Sequence, residues 1–178
     1  MKKASILIVG GGNAGLSVAA QLLLQKKDLS ITLIEPSEKH YYQPAWTLVG
    51  GGTFDIQDTV RDEKNFIPKG VEWIKARCER LDPDQNQVQL DNGETVQYDY
   101  LVLCPGIQLD WHKIKGLEGN LGKNGITSNY RFDLAPYTYQ CFQEFKGGNA
   151  VFTNPNTPVK CGGAPQKIMY LFGDYLRK

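Results

Sequence analysis

Ile6-Leu7-Ile8-Val9-Gly10-Gly11-Gly12-Asn13-Ala14-Gly15, continued by Leu16 to Leu24 and then by Ile31-Thr32-Leu33-Ile34-Glu35, decides how this chain is read. An unbroken apolar run meets glycines spaced G-x-G-x-x-G. A stretch rich in helix formers, a polar break at residues 25–28 and a second apolar run ending in an acid follow. Strand, tight turn, helix, strand and acid in that order form a dinucleotide-binding βαβ unit. Each glycine has its own task. Gly10 turns the chain off the strand, Gly12 lets backbone approach a pyrophosphate, and Gly15 lets helix and strand pack without a side chain between them. The helix offers its free N–H groups and positive dipole end to phosphates. Glu35, 20 residues beyond Gly15, is spaced for a carboxylate to accept both hydroxyls of an adenosine ribose and to disfavour a 2′-phosphate. The competing reading is an ordinary glycine-rich βα turn.

Composition narrows the class. At 178 residues the chain suits one domain or one and a fraction. With 41% hydrophobic residues it can build a real core, yet no apolar run reaches the ~18 residues that span a membrane. A net charge of +1 without a basic run argues against nucleic acid. The N-terminus runs straight into the first strand, which leaves no signal peptide. Cys78, Cys104, Cys141 and Cys161 are widely spaced with no C-x-x-C pair. That disfavours a zinc site or a disulfide scaffold and suits a reducing compartment. No metal site is expected.

Beyond Glu35, the segment Pro36-Ser37-Glu38-Lys39-His40-Tyr41-Tyr42-Gln43-Pro44 reads as a loop at the carboxyl end of the second strand, where open α/β sheets bind ligands. His40 and its neighbours fit a ligand loop or a packed surface loop equally well. Trp46 to Val49 reads as a short helix ending at Gly50-Gly51-Gly52, and residues 55–66 carry few structural signals. Strands follow at Val71-Glu72-Trp73-Ile74, then through Arg77-Cys78 toward Leu81, and at Gln87-Val88-Gln89-Leu90. Asp91-Asn92-Gly93 is a hairpin turn, Thr95-Val96-Gln97-Tyr98 returns, and Tyr100-Leu101-Val102-Leu103 reads as a buried parallel strand stopped at Cys104-Pro105-Gly106. A β-meander in place of further βα units favours a flavin domain. Residues 109–129 form a connector. Asp133 is a candidate cap for a helix from Leu134 to Phe145, with Cys141 as a small core hydrophobe. Ala150-Val151-Phe152-Thr153 reads as a strand, and a helix runs from Gln166 to about Leu176.

The expected fold class is therefore α/β. Residues 1–108 form a Rossmann-like FAD-binding domain with a parallel sheet and β-meander. Residues 109–146 are a connector and helix, and residues 147–178 begin a second Rossmann-like domain as its first βα unit. The chain reads as the front part of a longer enzyme.

Several longer runs carry a family resemblance: Glu35-Pro36-Ser37-Glu38, His40-Tyr41-Tyr42-Gln43-Pro44, Trp46-Thr47-Leu48-Val49-Gly50, and Gly70 to Arg77. Asn156-Thr157-Pro158-Val159-Lys160-Cys161 and Gly163 to Leu171 complete the set. Through them the chain resembles the sulfide:quinone oxidoreductases, in the branch that includes the mitochondrial enzymes. These belong to the disulfide-reductase-like flavoproteins with two dinucleotide-binding domains. The resemblance implies FAD, held at its pyrophosphate by Asn13 and Ala14, at its ribose by Glu35 and in the following loop by Gln43. Cys78 would contact the adenine through its backbone, and Gly106 would admit the flavin. Cys161 matches the family's first redox cysteine, whose partner lies further downstream.

The resemblance further implies sulfide, a quinone and a sulfane-sulfur acceptor as partners. It implies a membrane surface reached through a later part of the protein, leaves room for a homo-oligomer, and places a bacterial form in the cytoplasm, peripheral to the inner membrane. Hydrosulfide would open a disulfide involving Cys161, leave a persulfide, and send two electrons through the flavin to a quinone. Two departures stand out. Cys104-Pro105-Gly106 replaces the wider group's Ala-Thr-Gly, so no role is assigned to Cys104. A second G-x-G-x-x-G is missing from residues 154–164, which weighs against a type II NADH:quinone oxidoreductase. The lack of a leader weighs against a flavocytochrome-type sulfide dehydrogenase. A reading of another class, a non-catalytic flavin-binding redox-sensing module switched by Cys161, would turn over no quinone.

Overall fold

Alternation along the first apolar run builds the centre of the fold. The computed structural model describes residues 2–159 and 161–178. In β1 (Lys2–Val9), Leu7 and Val9 enter one apolar cluster while Ile6 and Ile8 enter another. Successive side chains of a strand leave opposite faces, so β1 is buried on both, as a central parallel strand must be. Leu7 and Ile8 are completely buried, each contributing roughly 1.5–3 kcal/mol by leaving water. α1 (Asn13–Gln25) covers the Ile8 face with Leu16 and Ala19.

β2 (Ile31–Ile34) runs parallel to β1, pairing Ile6 with Ile31 and Val9 with Ile34. β5 (Val71–Ile74) is parallel to β2, while β6 (Cys78–Asp82) and β7 (Gln87–Leu90) form an antiparallel pair. β8 (Thr95–Leu103) is antiparallel to β7 and parallel to β1, giving a six-stranded sheet in the order β5-β2-β1-β8-β7-β6. A separate two-stranded sheet joins β3 (Lys39–Tyr41) and β4 (Val60–Asp62). The expected turn at Asp91-Asn92-Gly93 is present, with Gly93 at φ +84° and the Leu90 amide donating to the Glu94 carbonyl at 2.9 Å.

Residues 1–41 and 61–106 make one compact unit, and residues 42–60 and 107–178 make a second. Within the second, α2 (Trp46–Gly50) and α3 (Ala135–Glu144) share a cluster of Trp46, Val49 and Ala135. The Trp46 indole donates to the Thr59 hydroxyl at 3.2 Å. α4 (Ala164–Tyr175) packs Ile168 and Phe172 on Phe142, with the Phe142 and Phe172 rings 4.6 Å apart.

Four expectations are corrected. The segments 95–98 and 100–103 are one continuous strand, and its second half is not buried. Tyr100 is 70% and Leu103 51% exposed, while Leu101 and Val102 between them are half-buried against the two apolar clusters. Val71–Ile74 belongs to the parallel side of the sheet rather than to the meander. Asp133 does not cap α3. Its carboxylate is taken by Arg131, whose Nε and terminal nitrogen donate at 2.6 and 2.7 Å, and this hydrogen-bonded cation holds the carboxyl below its ordinary range. Residues 150–153 form no strand. A strand's N–H and C=O groups need a strand beside them, and among the described residues none lies there. The apolar side chains serve helix packing instead, with Phe152 5.7 Å from Phe172.

These differences separate two substitutions. Leu7→Ala should cost about 2–5 kcal/mol in urea unfolding. Val151→Ala, at a position 80% exposed, should change stability by less than about 0.5 kcal/mol. Similar losses from both would place residues 150–153 in a buried strand after all.

Candidate functional site

The turn after β1 is closed on both sides by backbone. Gly10 donates to the Ile34 carbonyl at 2.9 Å, and the Cys104 amide donates to the Val9 carbonyl at 2.8 Å. Gly10 sits at φ +103°, and a Cβ there would run into the carbonyl oxygen of Cys104. A Cβ on Gly15 would likewise strike the Gly10 carbonyl oxygen, so both positions need glycine for space as well as conformation. Gly12 differs. It caps α1 in an extended conformation, and a Cβ built on it meets nothing within 4 Å. Gly12, Asn13 and Ala14 are all exposed, and the first turn of α1 carries no acidic residue. The result is an open helix N-terminus of the kind that receives phosphate oxygens.

Glu35 stands beside this turn. Its Oε2 accepts the Gly11 amide at 2.8 Å and its Oε1 accepts the Ser37 amide at 2.7 Å. Its own amide donates to Ile74, and its carbonyl accepts the Trp73 indole at 2.9 Å. The carboxylate is thus fixed by backbone donors at both oxygens, each with a second lone pair for a further donor. Behind it lies Glu63, whose carboxyl is only 2% exposed. Glu63 Oε2 is 3.0 Å from His40 Nδ1, while Oε1 is buried without a hydrogen-bond partner. Burial pushes the Glu63 carboxyl above its ordinary range, His40 works in the opposite direction, and the charge of Glu35 adds to the rise.

Gly10, Gly12, Asn13, Ala14, Gly15 and Glu35 therefore converge on one end of the sheet. Gly106, at φ +74° with open space around its Cα, follows the Cys104 contact by two residues. Cys78 opens β6, and its half-buried side chain packs against the cluster of Ala76 and Leu90. Gln43 begins a 3-10 turn in the second unit. Cys161 also belongs to that unit, exposed, two residues ahead of Gly163, the N-cap of α4. Its carbonyl accepts the Ala164 amide at 3.0 Å and the Tyr130 hydroxyl at 3.2 Å. Lys160, the neighbour of Cys161 in sequence, lies outside the described residues. Among the described residues, no group of three or more His, Cys, Asp or Glu is placed to hold a metal ion. No helix among them is long and apolar enough to cross a membrane.

Sequence reasoning missed Glu63 and Tyr130. Glu63 sits in a charged stretch without periodicity, and only the pairing of β3 with β4 brings it to His40. Tyr130 follows the connector, where no spacing rule points 31 residues ahead to Cys161.

A family profile described as pyridine nucleotide-disulphide oxidoreductase matches residues 4–138. A mitochondrial sulfide:quinone oxidoreductase of Dictyostelium discoideum is 54% identical over 97% of this chain and 39% of its own length. The mitochondrial sulfide:quinone oxidoreductase of Mus musculus is 46% identical over 97% of this chain and 38% of its own length. The solved sulfide:quinone oxidoreductase of Aquifex aeolicus superposes with a TM-score of 0.62 at 29% identity, covering 81% of this chain and 32% of that one. The chain thus spans about two fifths of the length of the curated relatives it matches.

The four thiols should differ in reactivity. Burial raises the Cys78 and Cys141 thiols above their ordinary range, and both are half-buried. In a timed iodoacetamide reaction near neutral pH, peptide mapping should show Cys161 alkylated well before Cys78 and Cys141. Equal rates would contradict the exposure seen here.

Proposed function

The chain belongs to the pyridine nucleotide-disulphide oxidoreductase family, and from that premise we propose that it is the FAD-binding part of a sulfide:quinone oxidoreductase. What supports this reading is the 54% identity that runs across 97% of the chain and takes in both the glycine turn and Cys161. FAD is the dinucleotide of this family, and the residues present fit it. Gly12 leaves open the space a Cβ would fill, the N–H groups of Asn13 and Ala14 head α1 for the pyrophosphate, and Glu35 keeps a lone pair on each oxygen for the ribose hydroxyls. Gln43, Cys78 and Gly106 are assigned to the same cofactor. When bound, FAD supplies a two-electron acceptor that can pass its electrons to a quinone.

Cys161 carries the sulfur chemistry in this proposal. Hydrosulfide attacks a disulfide between Cys161 and a cysteine outside this chain. One S–S bond forms, giving a persulfide, and the original S–S bond breaks, releasing a thiolate. A nucleophile such as sulfite takes the terminal sulfur and leaves two thiolates, whose reclosure to the disulfide yields the two electrons that the quinone takes up. With sulfite, the sum is hydrosulfide, sulfite, quinone and one proton giving thiosulfate and quinol. Cys161 suits this role because it is exposed and lies at the start of α4, where the helix dipole favours negative charge. The remaining partners are a membrane surface contacted by another part of the protein and a second copy in a homo-oligomer. A bacterial form would work from the cytoplasmic side of the inner membrane. Residues 1–108 are assigned to the FAD domain, 109–146 to a connector and 147–178 to the start of a second dinucleotide domain.

Two outcomes test the reading in the full-length protein. Gly12→Ala should leave unfolding unchanged within about 0.5 kcal/mol, since its Cβ meets nothing in the fold. It should nonetheless weaken FAD binding measured by flavin fluorescence. Cys161→Ser should abolish sulfide-dependent quinone reduction while keeping flavin absorbance, because a hydroxyl cannot form a persulfide. Mass spectrometry after sulfide treatment should find the added sulfur or the disulfide on Cys161. Sulfur on Cys78 or Cys104, with Cys161 left a plain thiol, would falsify the assignment.

A further inference from the structure

Glu63 has no place in the reading so far, yet its position is unusual for a carboxyl. Its side chain is 2% exposed, and its unpartnered Oε1 lies against the glycine turn. A Cβ built on Gly11 would sit 2.8 Å from Glu63 Oε1 and 2.7 Å from Glu35 Cβ and Cγ. Two carboxylic side chains thus pack on one face of the turn that is to receive a pyrophosphate. Glu35 is needed there for the ribose. A second full negative charge, buried and unscreened, would oppose an anionic ligand at the same turn.

The structure supplies a way to remove that charge. His40 Nδ1 is 3.0 Å from Glu63 Oε2, and the His40 ring rests on Phe66 with centroids 4.9 Å apart. One proton held between the imidazole and the carboxyl makes the pair neutral as seen by the ligand, or a dipole whose positive part balances Glu63. The other charged groups nearby are committed elsewhere. Asp62 pairs with Lys39 at 2.7 Å and Lys64 at 3.9 Å, and the Glu38 carboxylate pairs with Lys75. Only the Glu38 carbonyl turns toward Glu63, accepting its amide at 2.9 Å. The first turn of α1 brings no acid. Glu35 and His40 are the ionisable groups that face Glu63.

We propose that Glu63 is a positioning residue for the ribose–pyrophosphate end of the dinucleotide site, and that the proton it shares with His40 keeps that end receptive. The proposal rests on the reading of this site as an FAD site. Removal of the shared proton as pH rises leaves two carboxylates side by side behind Gly11. Cofactor affinity then falls without any change in the residues that touch the ligand. Burial raises the proton affinity of Glu63, which carries this effect above the range in which an exposed glutamate titrates.

The test uses the full-length protein stripped of FAD. Flavin fluorescence reads FAD affinity between about pH 6 and about pH 9, and ADP, which carries the ribose and pyrophosphate alone, serves as competitor. Wild type should lose roughly tenfold in FAD and ADP affinity across that range, as one charge–charge interaction of ordinary size implies. Glu63→Gln keeps the shape and removes the charge, so its affinity should stay level. His40→Gln removes the group that draws on the Glu63 proton, so its pH profile should shift away from that of wild type. Circular dichroism establishes that each variant is folded, and if Glu63→Gln fails to fold, the wild-type slope and His40→Gln decide. A Glu63→Gln slope equal to wild type, a level wild-type profile, or a His40→Gln profile identical to wild type overturns the role of Glu63. Wild type that binds ADP but not FAD overturns the cofactor reading while leaving the ribose-end effect visible with ADP. Binding neither overturns both.

Discussion

The hydrogen bond from the Gly11 amide to the Glu35 carboxylate, 2.8 Å long, ties together everything the first unit does. It forms only because β1 and β2 end side by side, with Val9 opposite Ile34, and because Gly10 can turn between them against the Cys104 carbonyl. Gly15 allows α1 to settle onto that same turn. Close packing of backbone on backbone leaves no tolerance for a side chain at either glycine, so sheet register, helix placement and the orientation of one acid are a single geometric problem. Gly12 alone is free of this constraint. Its freedom marks where the molecule faces something other than itself.

The second unit is organised by a different force. Aromatic rings, Phe142 and Phe172 foremost, hold α3 to α4. The start of α4 then sets the place of Cys161, with the Tyr130 hydroxyl and the Ala164 amide on its carbonyl. Burial lifts the Tyr130 phenol above its ordinary range, so it remains a hydrogen-bond donor to this loop at any physiological pH. An exposed cysteine on a tethered loop is accessible to small reagents in a way that half-buried Cys78 and Cys141 are not.

Much of this was legible in the sequence wherever one local rule governs a residue. The glycine spacing, the apolar runs of β1 and β2, and the Asp91-Asn92-Gly93 turn are each dictated within a few residues, and each appeared as expected. What depended on distant partners was not legible. Asp133 looked like a cap until Arg131 claimed its carboxylate. Residues 150–153 had the composition of a strand but no strand beside them, and Tyr100 and Leu103 looked buried because sequence does not show which parts of a sheet face are covered. At the site, the residues of the turn were legible from their spacing and the groups packed behind them were not. Glu63 and Tyr130 act across 23 and 31 residues of chain, a separation no motif encodes.

The identity of the dinucleotide is the most direct measure of this account. The full-length protein, purified and denatured, should release FAD, identified by its retention and by its mass. Release of NAD, or of no nucleotide from a folded preparation, would contradict the reading of the glycine turn and Glu35 as a flavin site.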